Sequence, residues 1–160
     1  MVSLHFFKSE DILELGYTLD ENQSLFTATV KQALEHIEER NDGLSYPTTI
    51  LYEGKPAGFF VLDFGEDKFD LTQNKSAVLL RSFSINPLLQ GKGIGKSAMM
   101  NLDDFVKENF RECAEIVLAV NEKNNSAYQL YIKTGYVFDG KTRMGRSGPQ
   151  YLMHKTLRKF

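Results

Sequence analysis

Three glycines fall within five residues at Gln90-Gly91-Lys92-Gly93-Ile94-Gly95-Lys96-Ser97. Upstream lies the apolar-rich stretch Ala77 to Ile85, and downstream Ile94, Ala98, Met99, Leu102, Phe105, Val106 and Phe110 recur mostly at three- and four-residue spacing. The pattern predicts a strand, a tight loop and a long amphipathic helix. A strand feeding a helix in this way restricts the chain to folds in which helices cover a sheet. It also aims backbone N–H groups at an anion held on the positive helix end.

The remaining pattern extends that beginning. Val2 to Phe7 reads as a strand, and Ser9-Glu10-Asp11 caps a short helix through Leu15. Leu25, Phe26, Val30, Ala33, Leu34 and Ile37 then predict one amphipathic helix, ended by Asn41-Asp42-Gly43. Thr48 to Glu53 and Ala57 to Phe64 form a hairpin around a Gly54-Lys55 turn, with Pro56 at the start of its second strand. Ile116 to Val120 is a short apolar strand of the kind buried on both faces. A helix over Ser126 to Thr134, stopped by Gly135, precedes closing strands at Tyr136 to Lys141 and Gln150 to Leu157. The order is β, α, α, β, β, β, α, β, α, β, β. No repeat or linker divides the chain, so one domain over 1–160 is expected, of α/β (α+β) class.

Charge excludes some partners. Nineteen Lys and Arg stand against 21 Asp and Glu, a net charge of −2, which argues against a dedicated nucleic-acid binder. The longest apolar run, Ala57 to Leu62, is far short of the roughly 20 residues a membrane helix needs. The first five residues lack a secretory pattern, and the single cysteine, Cys113, cannot form an internal disulfide, so a cytoplasmic setting is expected. The three histidines, His5, His36 and His154, have no metal-ligand spacing, and no metal is expected. Residues 1–75 carry 14 acids and 6 bases, whereas residues 76–160 carry 7 acids and 13 bases. A basic half suits an anionic cofactor and an acidic half a cationic substrate, although two solvated faces explain the division equally well.

Three phosphate-binding patterns compete for the glycine loop. A Walker A loop needs glycine where Gln90 stands, and the following strand ends Val120-Asn121 without an Asp for Mg²⁺. The dinucleotide pattern G-x-G-x-x-G needs glycine at Lys96. The third pattern fits throughout. Gln90-x-x-Gly93-x-Gly95, after Ile85-Asn86-Pro87, resembles the acyl-CoA pyrophosphate loop of the GNAT superfamily of N-acetyltransferases. Asn124-x-x-Ala127-x-x-Leu130-Tyr131-x-x-x-Gly135-Tyr136 resembles the second motif of that family, at the expected separation.

The resemblance implies a mixed central sheet of about seven strands flanked by about four helices and splayed between the fourth and fifth strands. It implies acetyl-CoA as cofactor and a primary amine that attacks the thioester directly, with CoA thiolate leaving and no covalent enzyme intermediate. The pyrophosphate would sit on Gln90, Gly91, Lys92, Gly93, Ile94, Gly95 and Lys96, and the pantetheine arm along the backbone of Phe83, Ser84 and Ile85. Asn124 would fix the amide arm, although Asn before Ser126-Ala127 also suits helix capping. Tyr131 falls where the family keeps a tyrosine that protonates the departing thiolate.

The acceptor half is less specific. Leu51-Tyr52-Glu53-Gly54-Lys55-Pro56-Ala57-Gly58-Phe59, Asn22-Gln23-x-x-Phe26 and Gly148-Pro149-Gln150-Tyr151 are similar to stretches of bacterial spermine/spermidine acetyltransferases. A polyamine would suit the acids Asp63, Glu66, Asp67 and Asp70. Arg81 stands where some of these relatives carry an acid, so a general base does not transfer. Asp63, Glu53 and ordered water are the alternatives. Substrate contacts are expected from Asp63 and Arg81, and an unpaired Arg81 would favour an acceptor bearing a carboxylate. An amino-acid or peptide amine, or a non-catalytic acyl-CoA sensor, are the competing functions. The partner is a small-molecule amine, with a homodimer left open.

Overall fold

The computed structural model describes residues 1–157, leaving the side chain of Asn22 outside the description. Seven strands make one mixed sheet: β1 (Val2–Phe6), β2 (Ser45–Tyr52), β3 (Lys55–Asp63), β4 (Ala77–Ile85), β5 (Glu115–Asn121), β6 (Val137–Gly145) and β7 (Gly148–Thr156), in the order β1-β2-β3-β4-β5-β7-β6. A single turn α1 (Ile12–Leu15) and the longer helices α2 (Glu21–Phe26), α3 (Val30–Arg40), α4 (Ile94–Asn109) and α5 (Asn125–Lys133) are the described α-helices, with short 3-10 turns at Ser9–Asp11, Glu66–Asp70 and Pro87–Leu89. The expected domain span of 1–160 ends three residues beyond the last described residue, Leu157.

β3 shows why two helical layers are needed. Every residue from Ala57 to Asp63 is buried, and strand geometry sends alternate side chains to opposite faces. Phe60 and Leu62 join Val78, Leu80, Ile116 and Leu118 under Met99 and Leu102 of α4. Phe59 and Val61 face the other way, against Leu15, Val30 and Ala33 of α1 and α3. Truncating Phe59 or Phe60, both fully buried, would cost about 3–5 kcal/mol.

The single helix expected over Leu25 to Ile37 is two helices. Thr29 starts the second one: its hydroxyl accepts from the Gln32 N–H at 3.1 Å, and the Gln32 side chain accepts from the Thr29 N–H at 2.9 Å. This reciprocal cap holds Thr29 extended and stops α2 at Phe26. The hairpin turn also moves by one residue. Glu53 and Gly54 both have positive φ, between paired Tyr52 and Lys55, as a two-residue turn requires. β6 and β7 run further than expected, meeting at Arg146-Ser147.

The splay expected between the fourth and fifth strands is present. β4 and β5 run parallel and pair only at Ala77–Leu79 with Glu115–Val117. Beyond that point β4 continues to Ile85 without β5 beside it. On its other edge β4 carries a bulge, because Phe59 pairs with Ser84 and Val61 with Arg81. Ser82 lies in that bulge at φ 58, a left-handed conformation that costs a non-glycine residue about 1–2 kcal/mol.

A buried ion network ties α3 to the sheet. The Asp63 carboxylate is fully buried and accepts four hydrogen bonds: Arg40 Nη1 at 2.6 Å, Arg40 Nη2 at 3.2 Å, Arg81 Nη1 at 3.1 Å and the Gly65 N–H at 2.8 Å. Burial pushes its pKa up, but the hydrogen bonds from Arg40, Gly65 and Arg81 together outweigh that and hold it below the usual carboxylate range.

Two outcomes follow from these contacts. Thr29→Ala should lower stability in chemical denaturation by about 1 kcal/mol, the worth of an N-cap. Asp63→Asn should cost about 3 kcal/mol by leaving Arg40 short of its partner. Because the folded pKa of Asp63 is depressed, its contribution is complete above the unfolded value near 4 and is lost as pH falls through the folded value. Stability measured from pH 7 to pH 2 should therefore fall less steeply in Asp63→Asn than in wild type.

Candidate active site

The parted strands leave a cleft of about 810 Å³ between β4, the start of α4 and α5. Phe83 and Ile85 form one wall. Gln90, Gly91, Gly93, Ile94, Gly95 and Lys96 form the end, and Asn124 and Tyr131 come from the α5 side. Ten of the predicted cofactor residues thus share one cavity. Two sit elsewhere. Lys92 is exposed outside the lining. The Ser84 side chain is buried away from the cleft, its hydroxyl 2.6 Å from that of Tyr17.

The cleft is built to receive an anion at one end. Gly93 caps α4 at φ 75, following Gly91 at φ 83; a side chain at either would be strained. The Ser97 N–H reaches the Gly93 carbonyl at 3.0 Å, so the N–H groups of Ile94, Gly95 and Lys96 precede the first helical bond. They concentrate the positive end of a 16-residue helix, beside the Lys96 side chain.

Along the wall the free edge of β4 takes an amide. The Gln23 carboxamide from α2 donates to the Ile85 carbonyl at 3.3 Å and accepts from the Ile85 N–H at 3.3 Å. This two-point pairing replaces a strand rung. The edge thus pairs with one amide donor and one acceptor, the groups that a pantetheine arm also carries. The helix end and the strand edge together fit the group that the sequence motifs imply.

Tyr131 is 7% exposed, with its ring against Phe83 and Tyr136. Its hydroxyl has no hydrogen-bond partner among the described residues, and the residue lines the cleft. Burial pushes its pKa well above that of a free tyrosine, so it stays protonated at neutral pH. The arrangement can donate a proton to an anion arriving in the cleft. Asn124 caps α5 by accepting from the Ala127 N–H at 3.3 Å; its amide nitrogen makes no hydrogen bond among the described residues. Capping and ligand binding are compatible there.

A second cleft of about 700 Å³ lies beyond the splay. Phe26, Thr27, Leu80, Arg81, Ser82, Ala119 and Gln150 line both clefts, so the two meet where β4 and β5 part. Asp63 and Arg81 line this second space, as do Arg40, Arg143 and Arg146. Of the alternative bases, Asp63 has every lone-pair position filled, while Glu53 sits on the exposed hairpin turn paired with the Met1 amino group. Among the described residues no three His, Cys, Asp or Glu side chains gather as metal ligands, and no helix is long and apolar enough to cross a membrane.

Sequence reasoning anticipated Arg81 but missed Gln23, Ser82 and the second cleft's other arginines, Arg40, Arg143 and Arg146. Gln23 lay within a quoted motif, but its partner Ile85 is 62 residues away. Ser82 carries no local signal, because an αL serine reads as any other serine. Arg143 and Arg146 lie between the two predicted closing strands, where they read as ordinary charges.

Comparison with known proteins agrees with the geometry. The profile of the Acetyltransferase (GNAT) family matches residues 10–136. The chain is 37% identical to the uncharacterized N-acetyltransferase YbbJ of Bacillus subtilis, covering 98% of both chains. It is 29% identical to the spermine/spermidine N(1)-acetyltransferase of the same organism, over 79% of this chain and 81% of the relative. In fold it resembles aminoglycoside acetyltransferase AAC(6')-Ib in complex with paromomycin and acetyl-CoA, with TM-score 0.77, 17% identity and coverage of 97% and 93%. The sequence motifs, the splayed sheet and the family match converge: the chain belongs to the acetyltransferase (GNAT) family and is an acetyl-CoA-dependent N-acetyltransferase.

Proposed function

We propose that this chain acts as one catalytic unit over 1–160 and acetylates a primary amine on a small molecule, with Tyr131 as general acid. The observation that carries this reading is the buried, protonated tyrosine in a cleft that joins an anion site to a second, acceptor-sized space. When bound, acetyl-CoA supplies the thioester carbon that the amine attacks. The α4 N-terminus and Lys96 would hold the pyrophosphate charge. The β4 edge at Phe83 and Ile85 would orient the amide arm in place of Gln23, with Asn124 contributing its free amide nitrogen. Tyr131 would give its proton to the leaving sulfur, which requires a hydroxyl that is neutral until that moment. A silent acyl-CoA sensor would have no use for that hydroxyl.

A polyamine as acceptor draws support from the relative named for spermine and spermidine. The acid group adds little to it. Asp63 is saturated, Asp67 pairs with Arg81 at 2.8 Å, and Asp70 pairs with Arg143 at 3.4 Å. Only Glu66 of that set has no partner among the described residues. The lone, buried Cys113 suits the reducing cytoplasm as the setting.

Two measurements test the reading. At a hundredfold excess over Kd, CoA should raise Tm by about 5–10 °C. Gly93→Asp should remove this shift, because it strains φ and sets a carboxylate against phosphate. An unmoved wild-type melting curve would refute the loop assignment. Separately, Tyr131→Phe should lower kcat by roughly ten- to a thousandfold with CoA affinity retained. Unchanged turnover, with chemistry rate-limiting, would leave Tyr131 a packing residue.

A further inference from the structure

Resting on the amine-acetylation reading above, we infer that the acceptor carries an anionic group, a carboxylate or a phosphate, on the same molecule as its amine. Four guanidinium groups line the second cleft: Arg40, Arg81, Arg143 and Arg146. Asp63 is the one acid in that lining, and it is closed to any ligand. Its four hydrogen bonds fill both oxygens, and its side chain is 0% exposed. It can neither attract an ammonium group nor take a proton from one.

Three of the four arginines, in contrast, have donors to spare. Arg40 is consumed by Asp63 and Asp42. Arg81 uses Nη1 alone, toward Asp63 and Asp67; its Nε and Nη2 make no hydrogen bond among the described residues. Arg143 gives Nε to Gln150 at 2.8 Å and Nη1 to exposed Asp70 at 3.4 Å, leaving Nη2. Arg146, at the β6–β7 turn, pairs with no acid among the described residues. These groups reach the cleft from β4 and from the hairpin, with Arg81 also lining the cofactor cleft. Guanidinium forks are the side chains best matched to carboxylate and phosphate oxygens. A polycation entering the same space would meet spare donors and no spare acceptor on that lining's carboxylate. A compact molecule with an amine at one end and an anion at the other would place its amine at the splay and its anion among Arg81, Arg143 and Arg146.

The test compares matched amines by thiol release from acetyl-CoA. A dipeptide with a free C-terminal carboxylate is set against its C-terminal amide, and phosphoethanolamine against ethanolamine, with spermidine and spermine alongside. The anionic member of at least one pair should have a kcat/KM tenfold or more above its neutral partner and above both polyamines. The pair that shows this separates carboxylate from phosphate. Arg143→Gln and Arg146→Gln should move that ratio toward one, chiefly through KM. Both positions lie at the β6–β7 hairpin end, and the CoA-dependent Tm shift reports that each variant is folded. Ratios near one in both pairs, or polyamines turned over better than every anionic amine, would overturn the inference and leave the transferase intact. CoA binding with no thiol release from any amine would instead overturn the transferase reading, and this inference with it.

Discussion

Strands β4 and β5 exchange hydrogen bonds over three residue pairs and then part, and the rest of the molecule answers to that parting. Backbone N–H and C=O groups exposed by it need partners from somewhere. β7 takes the other edge of β5 as far as Asn121, and β3 takes the other edge of β4, so neither strand lacks support. The inner edges remain for other groups. At Ile85 the Gln23 carboxamide fills the place of a strand. A site that gains specificity from main-chain pairing needs such an edge, and an intact sheet has none in its middle. The parting also lets the cleft beside the glycine loop run into the second cleft. Groups held in the two clefts can meet only through such a gap.

Holding a sheet open requires rigidity around it. The bulge at Ser82 bends β4 just where the gap begins, and Arg81 beside it is tied to Asp63 of β3 and Asp67. Arg40 from α3 completes the same cluster. Removing Arg40 or Asp63 strands a charge in a poorly solvated place, which is why the network resists rearrangement better than it adds net stability. Its cost in binding options is equally physical. A carboxylate with four donors is a structural anchor, and any chemistry in the second cleft must come from groups left over.

Much of the fold was legible because apolar spacing and glycine placement act locally. The Ile94-to-Phe110 series is α4, and the run Ala57 to Leu62 is a strand buried on both faces. The parts of the first cleft were legible for a related reason: a loop, a helix end and a helix face are each encoded in a short stretch. Failure came where geometry depends on distant partners or on one hydrogen bond. Leu25 to Ile37 keeps a helical period across Thr27-Ala28-Thr29, so hydrophobicity alone runs through a break that the Thr29 and Gln32 side chains impose. Ser84, whose backbone the resemblance assigns to the pantetheine arm, keeps its side chain out of the cleft that its neighbours line. Alternation along a strand turns its side chain to the opposite side, where Tyr17 meets it.

The charge division of the sequence shows the same limit from another side. Acids of the first half and bases of the second suggest two surfaces offered to two partners of opposite sign. Folding joins them instead. Asp63 and Asp67 pair with Arg81, and Asp70 with Arg143, so acids that looked available to a cation are met by arginines from the other half. What remains near the acceptor cleft is the difference between the two sets. That difference is a surplus of guanidinium N–H donors over carboxylate lone pairs among the residues that line the cleft, because one arginine can bind an acid with a single nitrogen and keep the others. Net charge along the chain records how many charges exist. Hydrogen-bond capacity, counted atom by atom in the folded site, decides which of them a substrate can still use.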